Sequence, residues 1–152
     1  ILISEIVVRR PESEFVEIFN PTNTDVSLTN YYLTDNFNIS LGGVTDNAYT
    51  RIVKGPDSLI VNEQDFLVKF PDNAVIAPGQ FQTVAFKADT FRLRYRVDPT
   101  YEIFETDTSV ANMETIQLGS VSRDYLDDNE EAIVLFHWDG VSDLVEDVDY
   151  VL

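Results

Sequence analysis

The chain has 152 residues, 44% of them apolar and 12% aromatic, so we expect one domain over residues 1–152 with its own buried core. Its 27 Asp and Glu against 10 Lys and Arg leave a formal net charge of -17, which repels nucleic acid and anionic membrane surfaces. There is no cysteine, so disulfides, thiol catalysis and cysteine zinc sites are excluded. No apolar run approaches the ~20 residues of a membrane-spanning helix, so membrane insertion is not expected.

The first part of the chain predicts strands joined by turns. ILISEIVV (1–8) and EFVEIF (14–19) are rich in β-branched and aromatic residues, and the turn signal Arg10-Pro11 separates them. NPTNTD (20–25) has the composition of a turn, because Pro ends a ladder and Asn and Asp bind their own backbone. Another strand is predicted at 31–33.

The alternation within these strands predicts which side chains are buried. Val16 and Ile18 share one face of the second strand, and we expect both to be buried together with Tyr31 and Leu33. Glu17 lies on the opposite, aromatic face. It is therefore either at the sheet surface or buried with an Arg or backbone partner.

The middle of the chain is less regular. Residues 36–61 lose their periodicity among Gly, Asn and Asp, which indicates a long loop with a short hairpin around AYTRIV (48–53). DFLVKF (65–70) predicts a strand. Pro78-Gly79 predicts a tight turn that leads into a further strand at 81–86.

The segment ADTFRLRYRVDP (88–99) fits two local structures. Its alternation of apolar residues with arginines is typical of a strand. Asp89 as a cap, with Phe91 and Tyr95 four residues apart, instead favours one or two helical turns.

The end of the chain predicts two strands. EEAIVLFHW (130–138) is apolar on both faces, as a central sandwich strand would be, and Asp139-Gly140 is a turn signal. A last strand follows at 144–152, with Val148, Tyr150 and Leu152 on one side. Many short strands separated by turns predict an antiparallel β-sandwich.

Several segments resemble the lamin-tail domain in order and spacing, and most of all its bacterial branch. They are ISEIVV (3–8), residues 14–35, IAPGQFQTVAF (76–86) and EEAIVLFHWDG (130–140) followed by VEDVDY (145–150). FRLRY (91–95) is similar to the short helical element of that branch, which favours the helix there.

The resemblance implies an all-β, immunoglobulin-like antiparallel β-sandwich with one short helix and long loop insertions near 36–61 and 104–126. Bacterial members commonly occur in exported, multi-domain proteins, beside nuclease, phosphatase or protease domains that they are thought to tether or position. It therefore implies a non-catalytic, extracellular or cell-surface module that requires no cofactor. Its partner would be a protein, a glycan or an adjacent domain of the parent chain. Because the sequence begins at Ile1, we expect it to be part of a longer protein.

The most acidic stretch, RDYLDDNEEA (123–132), is a candidate calcium site. Asp124, Asp127, Asp128 and Glu130 offer hard oxygen ligands at the short spacing that calcium prefers. The order of residues in an EF-hand loop is absent, and the alternative is a solvated acidic turn before the next strand. With calcium bound, the domain would be a calcium-dependent adhesion module.

Arg92, Arg94 and Arg96 form a basic concentration in this acidic chain and are candidate ligand-binding residues. Guanidinium groups suit a sulfated or carboxylated glycan, or a phosphate. The alternative is that these arginines pair with neighbouring carboxylates.

Catalytic motifs are scarce. The sequence has no nucleophile elbow, phosphate-binding Gly-rich loop or H-E-x-x-H, and we interpret its one histidine, His137, as a half-buried structural residue. A carboxylate-pair hydrolase remains the alternative to a binding module. It would need a cleft with two close carboxylates, one of them with a raised pKa.

Overall fold

The computed structural model describes residues 1–9, 12–41, 44–59, 65–119, 125–128 and 131–152, and two facing β-sheets dominate it. In chain order the strands are β1 (Leu2–Val7), β2 (Phe15–Phe19), β3 (Val26–Ser27), β4 (Tyr31–Thr34), β5 (Asn38–Leu41), β6 (Val44–Asn47), β7 (Phe66–Lys69), β8 (Val75–Ile76), β9 (Phe81–Ala85), β10 (Tyr101–Glu102), β11 (Ala111–Asn112), β12 (Glu114–Leu118), β13 (Ile133–His137) and β14 (Glu146–Val151). The α-helix α1 spans Ala88–Tyr95, and 3₁₀ helices span Ala48–Lys54 and Pro56–Ser58.

The strand order defines the two layers. The first sheet runs β1-β2-β9-β10-β11 and the second β12-β7-β4-β13-β14, while β3 pairs with β8 and β5 with β6. Pairing is antiparallel except for β9 with β10 and β10 with β11, and α1 provides the crossover between the parallel strands β9 and β10. These mostly antiparallel, packed sheets with one short α-helix confirm the predicted sandwich.

Apolar side chains from the two inner faces form the central core. Val16 and Ile18 of β2 pack there with Leu33 of β4, as predicted. In β13, Ile133 and Leu135 also pack in this core, while Val134 and Phe136 face the other way. This alternation between two cores explains why the strand is apolar on both faces.

The outer face of each sheet is covered as well. Val134 and Phe136 of β13 pack with Tyr49 and Ile52 of the first 3₁₀ helix. On the other sheet, α1 lies over Phe15, which makes edge-to-face contacts with the rings of Phe91 and Tyr95 at centroid distances of 5.3 and 5.4 Å. The helix is thus held on the sandwich by its apolar side.

Three predictions about loops and burial were wrong. AYTRIV is 3₁₀ helix rather than hairpin, and the hairpin lies just before it in β5 and β6. Residues 104–126 contain more than a loop insertion, because β11 and β12 within them are edge strands of the two sheets. Tyr31 is only half-buried, because it lies at the end of β4 against His137.

Two fully buried glutamates anchor loops to the sheets. Glu102 accepts hydrogen bonds from the N–H groups of Ala88, Thr106 and Asp107 at 2.8–3.0 Å and from the Thr106 hydroxyl at 2.7 Å. It thereby satisfies the start of α1, whose N-cap is Lys87 rather than the predicted Asp89. Glu14 similarly accepts from the N–H groups of Tyr125 and Leu126 at 3.0 and 3.1 Å.

The polar turn after β2 is organised by Asn20, which is also fully buried. Its Nδ2 donates to the carbonyls of Thr24 and Ile76 at 2.9 and 3.0 Å, and its Oδ1 accepts from the N–H and hydroxyl of Thr22. Glu17 lies at the surface, where its Oε1 accepts a 2.8 Å hydrogen bond from the Ser4 hydroxyl.

The first and last strands meet at one side of the sandwich. The Ile3 N–H donates to Asp149 Oδ2 of β14 at 2.7 Å, which joins the edges of the two sheets. Among the described residues, no helix has both the length and the apolar character needed to cross a bilayer.

Candidate anion-binding site

The helical conformation of α1 separates Arg92 from Arg94, and Arg96 follows the helix as its C-cap in a left-handed conformation. Successive helical residues point about 100° apart, so Arg94 lies about 200° around the axis from Arg92. Arg92 pairs with the carboxylates of Asp98 and Asp107, and these two contacts, Asp98 first, raise its pKa. The pKa of Asp107 is lowered, mainly by hydrogen bonds from Ser109 and then by Arg92. Arg92 therefore has local carboxylate partners.

Arg94 and Arg96 instead line a groove between the β1–β2 turn and α1. Its volume is about 470 Å³. We call it the arginine groove; its lining residues come from the turn (Arg9, Glu12, Ser13) and from the helix and its C-cap (Thr90, Leu93, Arg94, Arg96).

Hydrogen bonds fix the walls of the arginine groove. Glu12 adopts a left-handed backbone conformation (φ 67°) that reverses the chain, and its carbonyl accepts a hydrogen bond from the Thr90 hydroxyl. Arg9 Nη2 donates to the carbonyl of Asp128 at 3.2 Å. The turn is therefore hydrogen-bonded to α1 through Glu12 and to Asp128 through Arg9.

The groove concentrates positive charge that has few local partners. Arg94 and Arg96 are exposed, and within the described part of the chain neither forms an ion pair. Glu12 is the one carboxylate among the described residues of the lining, and its Oε1 lies 3.6 Å from Lys87 Nζ, which balances its charge. Three arginines, Arg9, Arg94 and Arg96, thus line one opening in a chain whose formal charge is -17.

This arrangement is suited to holding an anion. Guanidinium groups form paired, charge-assisted hydrogen bonds with carboxylate, sulfate or phosphate oxygens. Leu93 adds an apolar surface to the same groove, since its side chain remains 66% exposed. The ligand-binding role of Arg92, Arg94 and Arg96 stays a prediction. Of the three, Arg94 and Arg96 line the groove, whereas Arg92 pairs with Asp98 and Asp107.

Sequence reasoning did not identify Arg9 or Leu93 as members of this site. The available signal was the consecutive pair Arg9 and Arg10 at the β1–β2 turn of an acidic chain. Leu93 entered only as one of the apolar residues that alternate with the arginines in this segment.

The predicted calcium site is only partly covered by the structure. Asp124 and Glu130 lie outside the described residues. Asp127 and Asp128 are exposed, and the Asp127 N–H donates to Glu131 Oε2 at 2.7 Å. Among the residues described, no three acidic or histidine side chains are grouped as a metal ion would require. The calcium site therefore stays a prediction.

A pair of acidic groups near this stretch has perturbed titration. Burial raises the pKa of Asp35 well above its usual range, and repulsion from Glu131 and Asp65 adds to the shift, while a 2.7 Å hydrogen bond from the Phe66 N–H opposes it. Burial also raises the pKa of Glu131, to which repulsion from Asp127 contributes. These two are the carboxylates that a hydrolase interpretation would invoke.

His137 lies beside a second cavity, of about 460 Å³, at the β13–β14 loop. Its side chain is 34% exposed and packs edge-on against Tyr31, which agrees with the predicted half-buried position. Asp139 in the loop accepts hydrogen bonds from the Ser142 hydroxyl and from two N–H groups, which lower its pKa to about 2. Asp139 therefore stabilises the conformation of residues 139–142 in this loop.

Comparison with known proteins finds one matching family and a solved structure with a similar fold. The model of the family described as Lamin Tail Domain matches residues 1–151. A crystal structure of a DUF4876 family protein from Bacteroides thetaiotaomicron VPI-5482 superposes with a TM-score of 0.58 and 18% sequence identity, over 97% of this chain and 50% of that chain. At this identity the likeness shows the fold alone. Among curated proteins none matches the sequence.

Proposed function

The chain belongs to the Lamin Tail Domain family, and from that premise we propose that it is a non-catalytic binding or tethering module of an exported or cell-surface protein. It spans half the length of the DUF4876 family protein that shares its fold. That protein is a precedent for this fold as one part of a longer chain. The family determines the fold, and the contact surface depends on the side chains that this chain places on it.

The observation that carries the proposal is the arginine groove. Among the described residues, Arg92, Lys69 and Lys87 each pair with a carboxylate. Arg94 and Arg96 do not, within the described residues. Cationic side chains left available in one concave surface favour a partner that brings its own anionic groups.

Titration with two anionic probes tests this proposal. A fluorescently labelled hexaglutamate peptide and a heparin-derived hexasaccharide present carboxylates and sulfates respectively. We expect at least one to bind, and the double substitution Arg94→Gln with Arg96→Gln to weaken that binding about tenfold or more, since each charge-assisted hydrogen bond contributes ~1.5–3 kcal/mol.

The matched control is Arg51→Gln with Lys54→Gln, which removes the same charge from the 3₁₀ segment, away from the groove. Equal loss of binding in both double variants would show a general charge effect. That result, or no binding of either probe, would refute the groove as the contact surface.

The raised pKa values of Asp35 and Glu131 are the observation that favours the hydrolase alternative. We propose that they reflect burial next to other carboxylates rather than catalysis. Nitrophenyl glycosides incubated with the domain should therefore release no nitrophenol above the blank. Turnover that disappears in Asp35→Asn would instead support a hydrolase.

A further inference from the structure

The arginine groove combines charge with an exposed leucine. Thr90, Leu93 and Arg94 are spaced i, i+3 and i+4, so α1 presents them on one face, towards the β1–β2 turn. Leu93 is 66% exposed although its neighbour Phe91 is buried against the sheet. The helix thus contributes an exposed aliphatic side chain to an opening that is also lined by three arginines, Glu12, Ser13 and Thr90.

The size of the groove limits what it can hold. Its volume of about 470 Å³ lies within the range of roughly 300–1,000 Å³ that is typical of pockets for small ligands. A space of this size fits a short extended segment. The occupant is therefore a small molecule or a few consecutive units of a polymer.

The two chemical features of the groove discriminate between anions. Phosphate, sulfate and a sulfated glycan would satisfy the arginines, but their oxygen-rich surfaces gain nothing from contact with Leu93 and would lose hydration there. A segment with carboxylates on either side of an aliphatic residue satisfies both features at once.

We infer that the arginine groove binds an acidic peptide segment that carries an apolar side chain between its carboxylates. This inference rests on the proposed binding function and specifies its partner. The acidic residues lie against Arg9, Arg94 and Arg96, and the apolar side chain lies on Leu93.

Chemical-shift titrations of the ¹⁵N-labelled chain test the inference with three probes: the capped peptide Glu-Asp-Leu-Glu-Asp, its analogue with serine in place of leucine, and the heparin-derived hexasaccharide. We expect the leucine peptide to shift the amides of Leu93, Arg94 and Arg96 and to bind about 5- to 10-fold more tightly than the serine peptide, the scale of one partly buried leucine.

Variants complete the cycle. Leu93→Ser should lower the affinity of the leucine peptide to that of the serine peptide and leave the serine peptide unchanged. Leu144→Ser, at a leucine that is 80% exposed in the β13–β14 loop, is the matched control and should change neither affinity. Because both leucines are exposed, both variants should fold.

The outcomes separate this inference from the proposal beneath it. Tighter binding of the hexasaccharide than of either peptide, insensitive to Leu93→Ser but sensitive to Arg94→Gln, would overturn the peptide inference and retain the anion-binding function. Equal affinities of the two peptides would also overturn it. If no probe shifts the groove amides, both fall.

Discussion

Replacing Glu102 by glutamine isolates the contribution of one buried carboxylate. Glu102 is 0% exposed and receives four hydrogen bonds. Three of them, from the Ala88 N–H and the N–H and hydroxyl of Thr106, end on Oε2, and the Asp107 N–H ends on Oε1. A glutamine can place its oxygen where Oε2 lies, but its amide NH₂ must then face the Asp107 N–H.

The cost follows from those four bonds. A hydrogen bond to a charged group contributes ~1.5–3 kcal/mol and a neutral one ~0.5–1.5, so neutralising three bonds loses about 1 kcal/mol each. The fourth bond is lost and leaves the Asp107 N–H unsatisfied, although it is only partly buried. The sum, allowing for non-additivity, is about 3–5 kcal/mol.

Urea unfolding measures this difference. For a slope of ~1–3 kcal/mol per molar urea, the midpoint of Glu102→Gln should fall by at least about 1 M. Glu5→Gln makes the same chemical change at an exposed strand position, where the cost should stay within about 0.5 kcal/mol. If Glu102→Gln matches Glu5→Gln, burying the charge costs as much as its hydrogen bonds return, and this reasoning is refuted.

Three further substitutions have definite expected outcomes. Asn20→Asp would place a buried carboxylate against two backbone carbonyls, so thermal melts should show a loss of about 3 kcal/mol or more; a loss below 1 kcal/mol would contradict the assigned contacts. The raised pKa of Asp35 means that the folded state keeps a proton that the unfolded state releases, so stability should fall as pH rises from ~4 towards and through the raised value. Asp35→Asn keeps the acceptor for the Phe66 N–H, so the urea midpoint of this variant should fall less as pH rises. An unchanged pH dependence would show that another group causes the fall in stability. Phe91→Ala removes the ring between Phe15 and Tyr95 and should cost about 3–5 kcal/mol, with faster amide exchange in α1 than in β2; equal acceleration in both would show that the helix is not a separable layer.

The strands were largely predictable because their information is local. Alternation placed Val16, Ile18 and Leu33 in the core, and the apolar residues on both faces of β13 predicted a central sandwich strand. The structure adds that each face of this strand packs in a core of its own. The short helix was not decided by periodicity, because FRLRY satisfies both a two-residue and a four-residue repeat. Only the family resemblance resolved it.

The irregular middle was mispredicted for a physical reason. Tyr49 and Ile52 are buried at a spacing of three residues, which matches the period of a 3₁₀ helix and also fits a loop. The hairpin signal was Gly42-Gly43 between NISL and VTDN, and it was attributed to the loop as a whole.

The arginine groove could not have been read from local pattern. Arg9 comes close to Arg94 only because the β1–β2 turn packs on the helix through the contact between Glu12 and Thr90, 78 residues apart. A strand interpretation would have placed Arg92, Arg94 and Arg96 on one face, whereas the helix divides them. The composition of the site is therefore a consequence of tertiary packing.

The contact between Ile3 and Asp149 has a consequence for how the chain folds. The two residues are 146 positions apart, and pairings of that range make sandwich domains fold slowly, in roughly milliseconds to seconds. During synthesis at ~5–20 residues per second, β1 would precede β14 by about 7–30 s. In that interval β1 can pair with β2, but Asp149 is not yet available to accept the hydrogen bond from Ile3. The exposed Glu5 on this strand discourages other nascent chains from adding to the open edge.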